Sequence, residues 1–396
     1  MATVSARSRR DIAVRVHFGA CRELRTCKRL KIRTNVRFYR RAGYIRVRRT
    51  FRPSAKPPPA ETSMTVSNPV RRLAVLASAL TAAFTAPAFA AENGQVRALL
   101  GAPSYELATP QFPGVYGQLW YQHYSADKVK DNNGDDVSQS ATVPGVGVVP
   151  VKVDTKVRAD VIVPRVTWIT EQLVADGRLG FSASLPLVKQ RTTVGLSSPV
   201  AALQPTLNAL AATRSGEESG IADMEVAGFV DWQQEASRLA GGLAVVAPTG
   251  DYEAGRAVNI GTGKYWTLRP LLVASHVWEN GFQIGTRTTY SVNSTNRDTG
   301  VKSGQYLHAD WAAVYPLGDL WRIGVQGYAL VQTTKDKGAN VAADGNKVQT
   351  YGAGPTVAYL SESGTWAIDF KVMQEFAVRN RPEGTVGWLR LNFRVD

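Results

Sequence analysis

The stretch 364-GTWAIDFKVMQEFA-377 alternates between apolar and polar or charged side chains. A period of two predicts a β-strand with one apolar and one polar face. The run exceeds the ~5–6 residues of a usual soluble strand and suits the about 9–11 residues of a tilted membrane strand. The two faces are Trp366, Ile368, Phe370, Val372 and Phe376 on one side, and Asp369, Lys371 and Glu375 on the other.

Alternating segments of this kind recur along the chain between Gly, Asn, Asp and Ser residues, and they predict about twelve strands. We also expect irregular pairing at Pro164, Pro270 and Pro355, since proline lacks a backbone donor. The predicted strands are 115–124, 157–171, 178–188, 221–232, 238–248, 264–277, 281–292, 305–316, 320–333, 350–360, 364–377 and 385–395.

The connections between these segments alternate between short and long, which is typical of outer-membrane barrels with short periplasmic turns and longer external loops. The short connections are 172–177, 233–237, 279–281, 318–320 and 361–364. The long ones are 125–156, 189–220, 249–263, 293–304, 334–349 and 378–384, and the second contains a predicted short amphipathic helix at 198–214.

Tryptophans near the predicted strand ends match the aromatic girdles of membrane barrels. A soluble sheet with one wet face is the alternative reading of the alternation. The sequence predicts an all-β fold, an antiparallel transmembrane β-barrel of about twelve strands and of bacterial outer-membrane type. The girdle candidates are Trp168, Trp232, Trp266, Trp321 and Trp366.

The net charge of +15 belongs to residues 1–63, which hold 18 of the 47 basic residues and three of the 32 acidic ones. Met64 then begins an export signal with Arg71 and Arg72, an apolar run and a cleavage site between Ala90 and Ala91. We therefore expect 1–63 to be a basic, disordered leader from a mis-called start and 64–90 to be the signal peptide. A basic nucleic-acid-binding or organelle-targeting arm is the alternative for the leader.

The mature chain is predicted to carry a periplasmic N-terminal segment at 91–114 and the barrel at 115–396. The N-terminal segment either plugs the periplasmic end of the barrel or is surface decoration. Both cysteines, Cys21 and Cys27, lie in the leader and do not make a four-ligand metal site. No cofactor, no metal site and no nucleic-acid partner are predicted for the mature protein; outer-membrane lipids and the barrel assembly machinery are the expected partners.

Two motifs resemble the family of outer-membrane proteins associated with meta-pathway phenol degradation: "FPGVYGQLWYQHYSAD" (112–127) and "VVAPTGDY" (245–252). The resemblance covers most of residues 95–396 and implies an outer-membrane channel for aromatic or other hydrophobic compounds. It transfers no binding residue. One departure is the C-terminus, where Phe393 is followed by three more residues although such barrels usually finish on an aromatic.

The function expected from the sequence is passive or gated uptake of a small hydrophobic or aromatic solute through the lumen, with charges of both signs selecting solutes. The same charges would alternatively pair to hold a closed, structural or adhesin-type barrel rigid. The predicted lumen-lining residues are Arg158, Asp160, Asp223, Glu225, Asp231, Arg269, Arg287, Asp310, Arg322, Asp369, Lys371, Glu375 and Arg390.

A lipid hydrolase is the weaker alternative, and the protein is expected not to be an enzyme. His123 and Ser125 are two residues apart on one strand face, a spacing that a barrel phospholipase uses, but no third orienting residue is recognisable in the sequence. His308 and Asp310 are expected to form a hydrogen-bonded pair in the lumen.

Overall fold

The computed structural model describes residues 3–6, 12–15, 40–41, 44–45, 95–109, 111–143, 145–339, 341 and 345–395. Residues Met1–Ser67 form a separate unit in which β1 (Thr3–Ala6) pairs with β2 (Ile12–Arg15) and β3 (Arg40–Arg41) pairs with β4 (Tyr44–Ile45). Most of the leader, the whole predicted signal peptide and the cleavage site between Ala90 and Ala91 lie outside the described residues, so those expectations remain predictions.

Fifteen strands form one antiparallel sheet whose ends meet, since β8 pairs with both β7 and β11. The pairs β8–β9 and β10–β11 each lie end to end, and β6 pairs only with β7, so the closed wall has twelve strands. The strands are β5 (Gly114–Val129), β6 (Ser138–Val143), β7 (Gly147–Val174), β8 (Gly177–Ser184), β9 (Leu187–Ser197), β10 (Gly216–Ile221), β11 (Glu225–Gln234), β12 (Ser237–Val246), β13 (Thr267–Val277), β14 (Gln283–Asn293), β15 (Tyr306–Leu317), β16 (Trp321–Gln332), β17 (Gln349–Leu360), β18 (Trp366–Arg379) and β19 (Pro382–Arg394).

The alternation in the sequence explains why the sheet closes into a barrel. It gives the sheet an apolar outer face toward lipid and an inner face that carries both polar and apolar side chains. In β18, Trp366, Phe370 and Phe376 are exposed while Asp369 and Lys371 are buried in the lumen. Lipid cannot satisfy the polar groups of an open sheet edge, so such a sheet has to close on itself. The predicted twelve-stranded transmembrane β-barrel is confirmed, and the soluble-sheet alternative is wrong.

Aromatic side chains collect near the ends of the outer face. Trp168, Trp321 and Trp366 lie toward the short-turn end and Trp266 lies at the long-loop end, each more than two-fifths exposed. Trp168 packs on Phe181, with ring centroids 5.9 Å apart. These positions fit the girdles where a bilayer meets water.

The short connections occur where the sequence predicts them, but the last long connection is different. The segment predicted as a loop at 378–384 is a two-residue turn, Asn380–Arg381, between β18 and β19. Asn380 has a φ of 55°, which asparagine tolerates better than most residues. The strands extend further than predicted because each pairs with its other neighbour there: Arg379 of β18 with Gln349 of β17, and Pro382 of β19 with Val129 of β5.

The irregular pairing expected at the prolines occurs at two of the three, as interruptions rather than bulges, whereas Pro164 pairs with Leu119 in an unbroken register. Pairing of β13 with β14 is interrupted beside Pro270, and pairing of β17 with β18 beside Pro355, but the register is the same on both sides. The register shifts occur elsewhere, between Ile169 and Leu173 in β7, between Gln349 and Tyr351 in β17 and between Glu383 and Gly384 in β19.

The second long loop carries the predicted helix, here α1 (Gln204–Arg214), preceded by a 3-10 turn at Ala201–Leu203. Leu203 and Leu207 of this loop pack with Val143 of β6 and Val151 of β7 in a buried apolar cluster. In the described part of the chain, no helix is long and apolar enough to cross a membrane.

Residues 95–109 and 111–113, here called the plug, pass along the inside of the barrel. Gln95 hydrogen-bonds to the carbonyl of Asn259 in the long loop 247–266, and Gln111 accepts from Gln233 at the short-turn end of β11. The plug contains a 3-10 turn at Tyr105–Leu107. The sequence predicts either a plug at the periplasmic end of the barrel or surface decoration; the described part of this segment lies inside the lumen and reaches from the short-turn end to the long loops.

Candidate functional site in the lumen

Inward side chains from several strands hold the middle of the plug by its backbone. Asp310 of β15 accepts from the Gly101 nitrogen at 2.8 Å, and Lys371 of β18 donates to the carbonyls of Ala102 and Pro103 at 2.7 and 2.8 Å. Trp388 of β19 donates to the carbonyl of Leu100 at 3.1 Å. Buried backbone groups need such partners, and the barrel wall supplies them where the plug has no regular structure of its own.

Arg390 connects the plug to the wall through two carboxylates. Its guanidinium donates to Asp369 at 3.0 and 2.8 Å and to both oxygens of Glu106 at 2.7 Å. The Arg390 side chain is fully buried. Two bidentate, charge-assisted contacts on one guanidinium fix both the plug and β18 in position.

A second group of charges lies nearer the long loops. Arg97 of the plug forms an ion pair with Asp223 at 3.0 Å. Glu225 pairs with Arg269 and, at 3.3 Å, with Arg287. Arg269 also donates to the carbonyl of Arg97, so this group ties the plug to β11, β13 and β14.

The remaining inward predicted residues also form pairs. Asp231 pairs with Arg238 at 2.6 Å, and Arg238 donates onward to two plug carbonyls. Glu375 pairs with Arg381 at 3.2 Å. His308 and Asp310 form the expected lumenal pair at 3.0 Å.

Three predicted lumen residues lie elsewhere. Arg158 and Asp160 are on the outer face of β7, where Arg158 pairs with Asp127 at 2.8 Å and Asp160 with His123 at 2.8 Å. The prediction fails because the inner face of β7 is the apolar one: its valines line a cavity, while the outer face at this level lies beyond the apolar belt. Arg322 shares the inward register of β16 but bonds to carbonyls at the short-turn rim.

The cavity has a volume of about 640 Å³ and lies between the plug and the long loops. Its lining combines aliphatic side chains with polar and charged ones, among them plug residues 95–100 and the charged group of Asp223, Glu225, Arg269 and Arg287. Its volume lies in the range of small-molecule sites. The aliphatic wall includes Val129, Val137, Val153, Val157, Val161, Val188, Val194, Val246 and Val386.

At the loop end, the cavity lining includes Arg256 of the loop 247–266. Arg256 hydrogen-bonds to Asp251 at 2.8 Å and to Glu253 at 3.0 Å. These two carboxylates hold the pKa of Arg256 above its ordinary value. Its charge is therefore already matched within the loop.

Several lumen residues escape the sequence analysis. Arg97 and Glu106 precede the first strand, so no alternation signal covers them, and Arg238 and Arg381 lie beside turns. Arg165 follows Pro164 and has the same odd numbering as the inward valines of β7. Period two alone would have placed it correctly if the apolar face of β7 had been assigned to the cavity.

The outer face carries a partial catalytic arrangement. Asp160 stands opposite His123 in the β5–β7 register and supplies the orienting carboxylate that the sequence does not reveal. The Ser125 hydroxyl forms no hydrogen bond to His123 among the described residues, so the nucleophile–base contact is not made. Within the same described residues, no group of three or more His, Cys, Asp or Glu side chains is arranged to hold a metal ion.

The closed sheet, the apolar outer belt and the charged lumen together define a transmembrane β-barrel of the bacterial outer-membrane type. The sequence model of the family described as "Putative MetA-pathway of phenol degradation" matches residues 139–391. The chain belongs to this family, as the two motifs led us to expect.

A solved bacterial structure shares this fold. An outer membrane channel from Pseudomonas putida F1 aligns with a TM-score of 0.57 at 18% identity, covering 73% of this chain and 98% of that one. The CymD monoaromatic hydrocarbon channel aligns with a TM-score of 0.36 at 13% identity, covering 77% and 97%. The toluene transporter TbuX of Ralstonia pickettii aligns with a TM-score of 0.34 at 11% identity, covering 77% and 96%. No curated protein is significantly similar in sequence.

Proposed function

We propose that this protein is an outer-membrane channel for passive or gated uptake of small hydrophobic or aromatic compounds. The observation that carries the proposal is the unfilled cavity of about 640 Å³ in the lumen, whose wall is rich in valines. A cavity of this size would lower the stability of a purely structural barrel, because the side chains that line unfilled space lose packing contacts.

Two comparisons support the same proposal. The family description refers to phenol degradation, an aromatic pathway. The barrel with the TM-score of 0.57 is called an outer membrane channel. The plug fits gated passage, since it occupies the lumen between the cavity and the short-turn end.

The test measures initial uptake of radiolabelled toluene by intact cells whose outer membrane contains the protein. A Val157→Trp variant places an indole in the cavity, and we expect it to lower the protein-dependent rate several-fold. Ile162→Trp is the matched control, because Ile162 lies on the lipid-facing side of the same strand. Heat-modifiable migration checks that both variants form barrels.

Equal rates for Val157→Trp and the wild type, at equal outer-membrane levels, would contradict the proposal. A protein-dependent rate of zero in the wild type would contradict it as well and would favour the structural or adhesin-type alternative.

A further inference from the structure

Arg165 lines the cavity beside Arg97, Arg269 and Arg287, each of which forms an ion pair with a carboxylate. It lies in β7 opposite Gln118 of β5 and Ser184 of β8. Its guanidinium donates one hydrogen bond, to the Ser182 hydroxyl at 2.9 Å, and stands 5.4 Å from the ring centre of Trp120. Across the described residues, it forms no ion pair with a carboxylate.

The neighbouring carboxylates are already bonded to other arginines. Glu225 holds Arg269 and Arg287, and Asp223 holds Arg97. Glu106, which also attracts Arg165, is bonded on both oxygens by Arg390. Four guanidiniums therefore share two carboxylates at this end of the plug, and the excess charge is positive.

These four arginines form one side of the cavity, here called the positive floor, and aliphatic side chains line the space next to them. The side chains of Leu99, Leu100, Val157, Val161 and Val188 line the cavity together with Arg165. A planar guanidinium with several free donors matches a carboxylate, which it can bind through two parallel hydrogen bonds. A guanidinium in a low-dielectric site without an anion is unfavourable, and a bound carboxylate would relieve that cost.

We infer that Arg165 is the anchor of a carboxylate-binding subsite, so that the cavity takes amphipathic monoanions with an aromatic or aliphatic body and a single carboxylate. The inference rests on the proposed function and specifies its substrate class. The apolar body lies among the valines, and the carboxylate replaces water at the free donors of Arg165, with Arg287 adding attraction from the same floor.

The test compares 4-phenylbutanoate with its neutral counterpart 4-phenylbutan-1-ol. Binding to the protein in lipid nanodiscs is followed by calorimetry and by quenching of tryptophan fluorescence, since Trp120 adjoins Arg165. We expect the wild type to bind the carboxylate about tenfold or more tightly than the alcohol, the range of a hydrogen bond to a charged group.

Three variants locate the effect. Arg165→Gln is expected to remove the preference for the carboxylate and to leave affinity for the alcohol unchanged. Arg165→Lys is expected to keep part of the preference, because it keeps the charge but not the planar fork. Arg158→Gln, on the outer face of the same strand, is the matched control and is expected to behave as the wild type.

The outcomes separate this inference from the proposed function. Equal wild-type affinity for the two probes, or a preference that survives in Arg165→Gln, overturns the subsite while the channel proposal stands. Failure of the wild type to bind either probe contradicts both. The wild-type comparison needs no variant, so the inference stays testable even if Arg165→Gln does not assemble.

Discussion

Arg390 neutralises Asp369 in the wall and Glu106 in the plug. We predict that Arg390→Met destabilises the barrel by about 3–5 kcal/mol, since it leaves the buried Asp369 and the partly buried Glu106 without their cation. Urea unfolding in lipid vesicles, followed by tryptophan fluorescence, measures the change.

Arg322→Gln is the control for that measurement, because Arg322 bonds only to carbonyls at the exposed rim. We expect it to change stability by no more than about 0.5 kcal/mol, as is usual for surface substitutions. Similar stabilities for the two variants would show that the lumenal ion pairs contribute little.

Ser125 provides a prediction about catalysis. Because its hydroxyl is not bonded to His123, we predict that Ser125→Ala and the wild type have the same phospholipid-hydrolysing activity, at the level of protein-free vesicles. Release of fatty acid from vesicles measures this. Activity in the wild type that disappears in Ser125→Ala would restore the hydrolase alternative, with Asp160 as the orienting residue.

Individual site residues are predictable only where a strand's apolar face points to lipid. In β18 and β19 it does, and the inward positions of Asp369 and Arg390 follow from the alternation. In β7 both faces change character along the strand, because valines on the inner face line a cavity and charges on the outer face lie beyond the belt. Arg158 and Asp160 are misplaced for this reason, and Arg165 is overlooked.

The turn between β18 and β19 is shorter than the sequence predicts, two residues instead of the predicted loop 378–384. Asn380 adopts a φ of 55°, and its side chain donates to Asn132 and to the carbonyl of Lys347, both at 2.9 Å. These bonds attach the turn to two neighbouring loops. The sequence predicts a longer loop here because Asn, Arg, Pro, Glu and Gly follow one another.

We predict that Asn380→Ala lowers stability by about 2 kcal/mol or more, since alanine is strained by about 1–2 kcal/mol at positive φ and the side-chain bonds are also lost. Asn380→Gly loses the same bonds without the strain. Urea unfolding is therefore expected to rank the wild type first, glycine second and alanine last. An alanine variant as stable as the glycine variant would contradict the contribution of backbone strain.

The sequence predicts the existence of all twelve wall strands, because the alternation in the sequence matches the alternation of outward and inward side chains in the barrel. Strand ends are not predictable, because β7, β9 and β10 extend beyond the bilayer as a sheet in water, where the apolar belt no longer marks them. Two predicted strands are each divided by a short break, one at Pro186 between β8 and β9 and one at 222–224 between β10 and β11.

In the whole molecule, the plug occupies the lumen through which a solute would pass. We predict that a variant lacking residues 95–109 conducts ions and admits small hydrophilic solutes, because the space that the plug leaves is lined by charges such as Asp310, Lys371 and Arg390 and fills with water. Planar-bilayer conductance and liposome swelling with arabinose are the measurements.

Glu106→Gln is the milder companion variant, which weakens one anchor and keeps the chain length. In the planar bilayer, we expect Glu106→Gln to show brief increases in conductance and the deletion variant to show a conductance that stays high. Deletion protein that assembles, as judged by heat-modifiable migration, but conducts no better than the wild type would show that the wall itself collapses into the space.

The pairing of β5 with β19 places the first and last wall strands side by side, and the plug is joined directly to β5. The segment bound by Arg390, Lys371 and Trp388 has all of these partners only once the final two strands are in place. We therefore expect the plug to settle against the nascent sheet first and the last hairpin to enclose it.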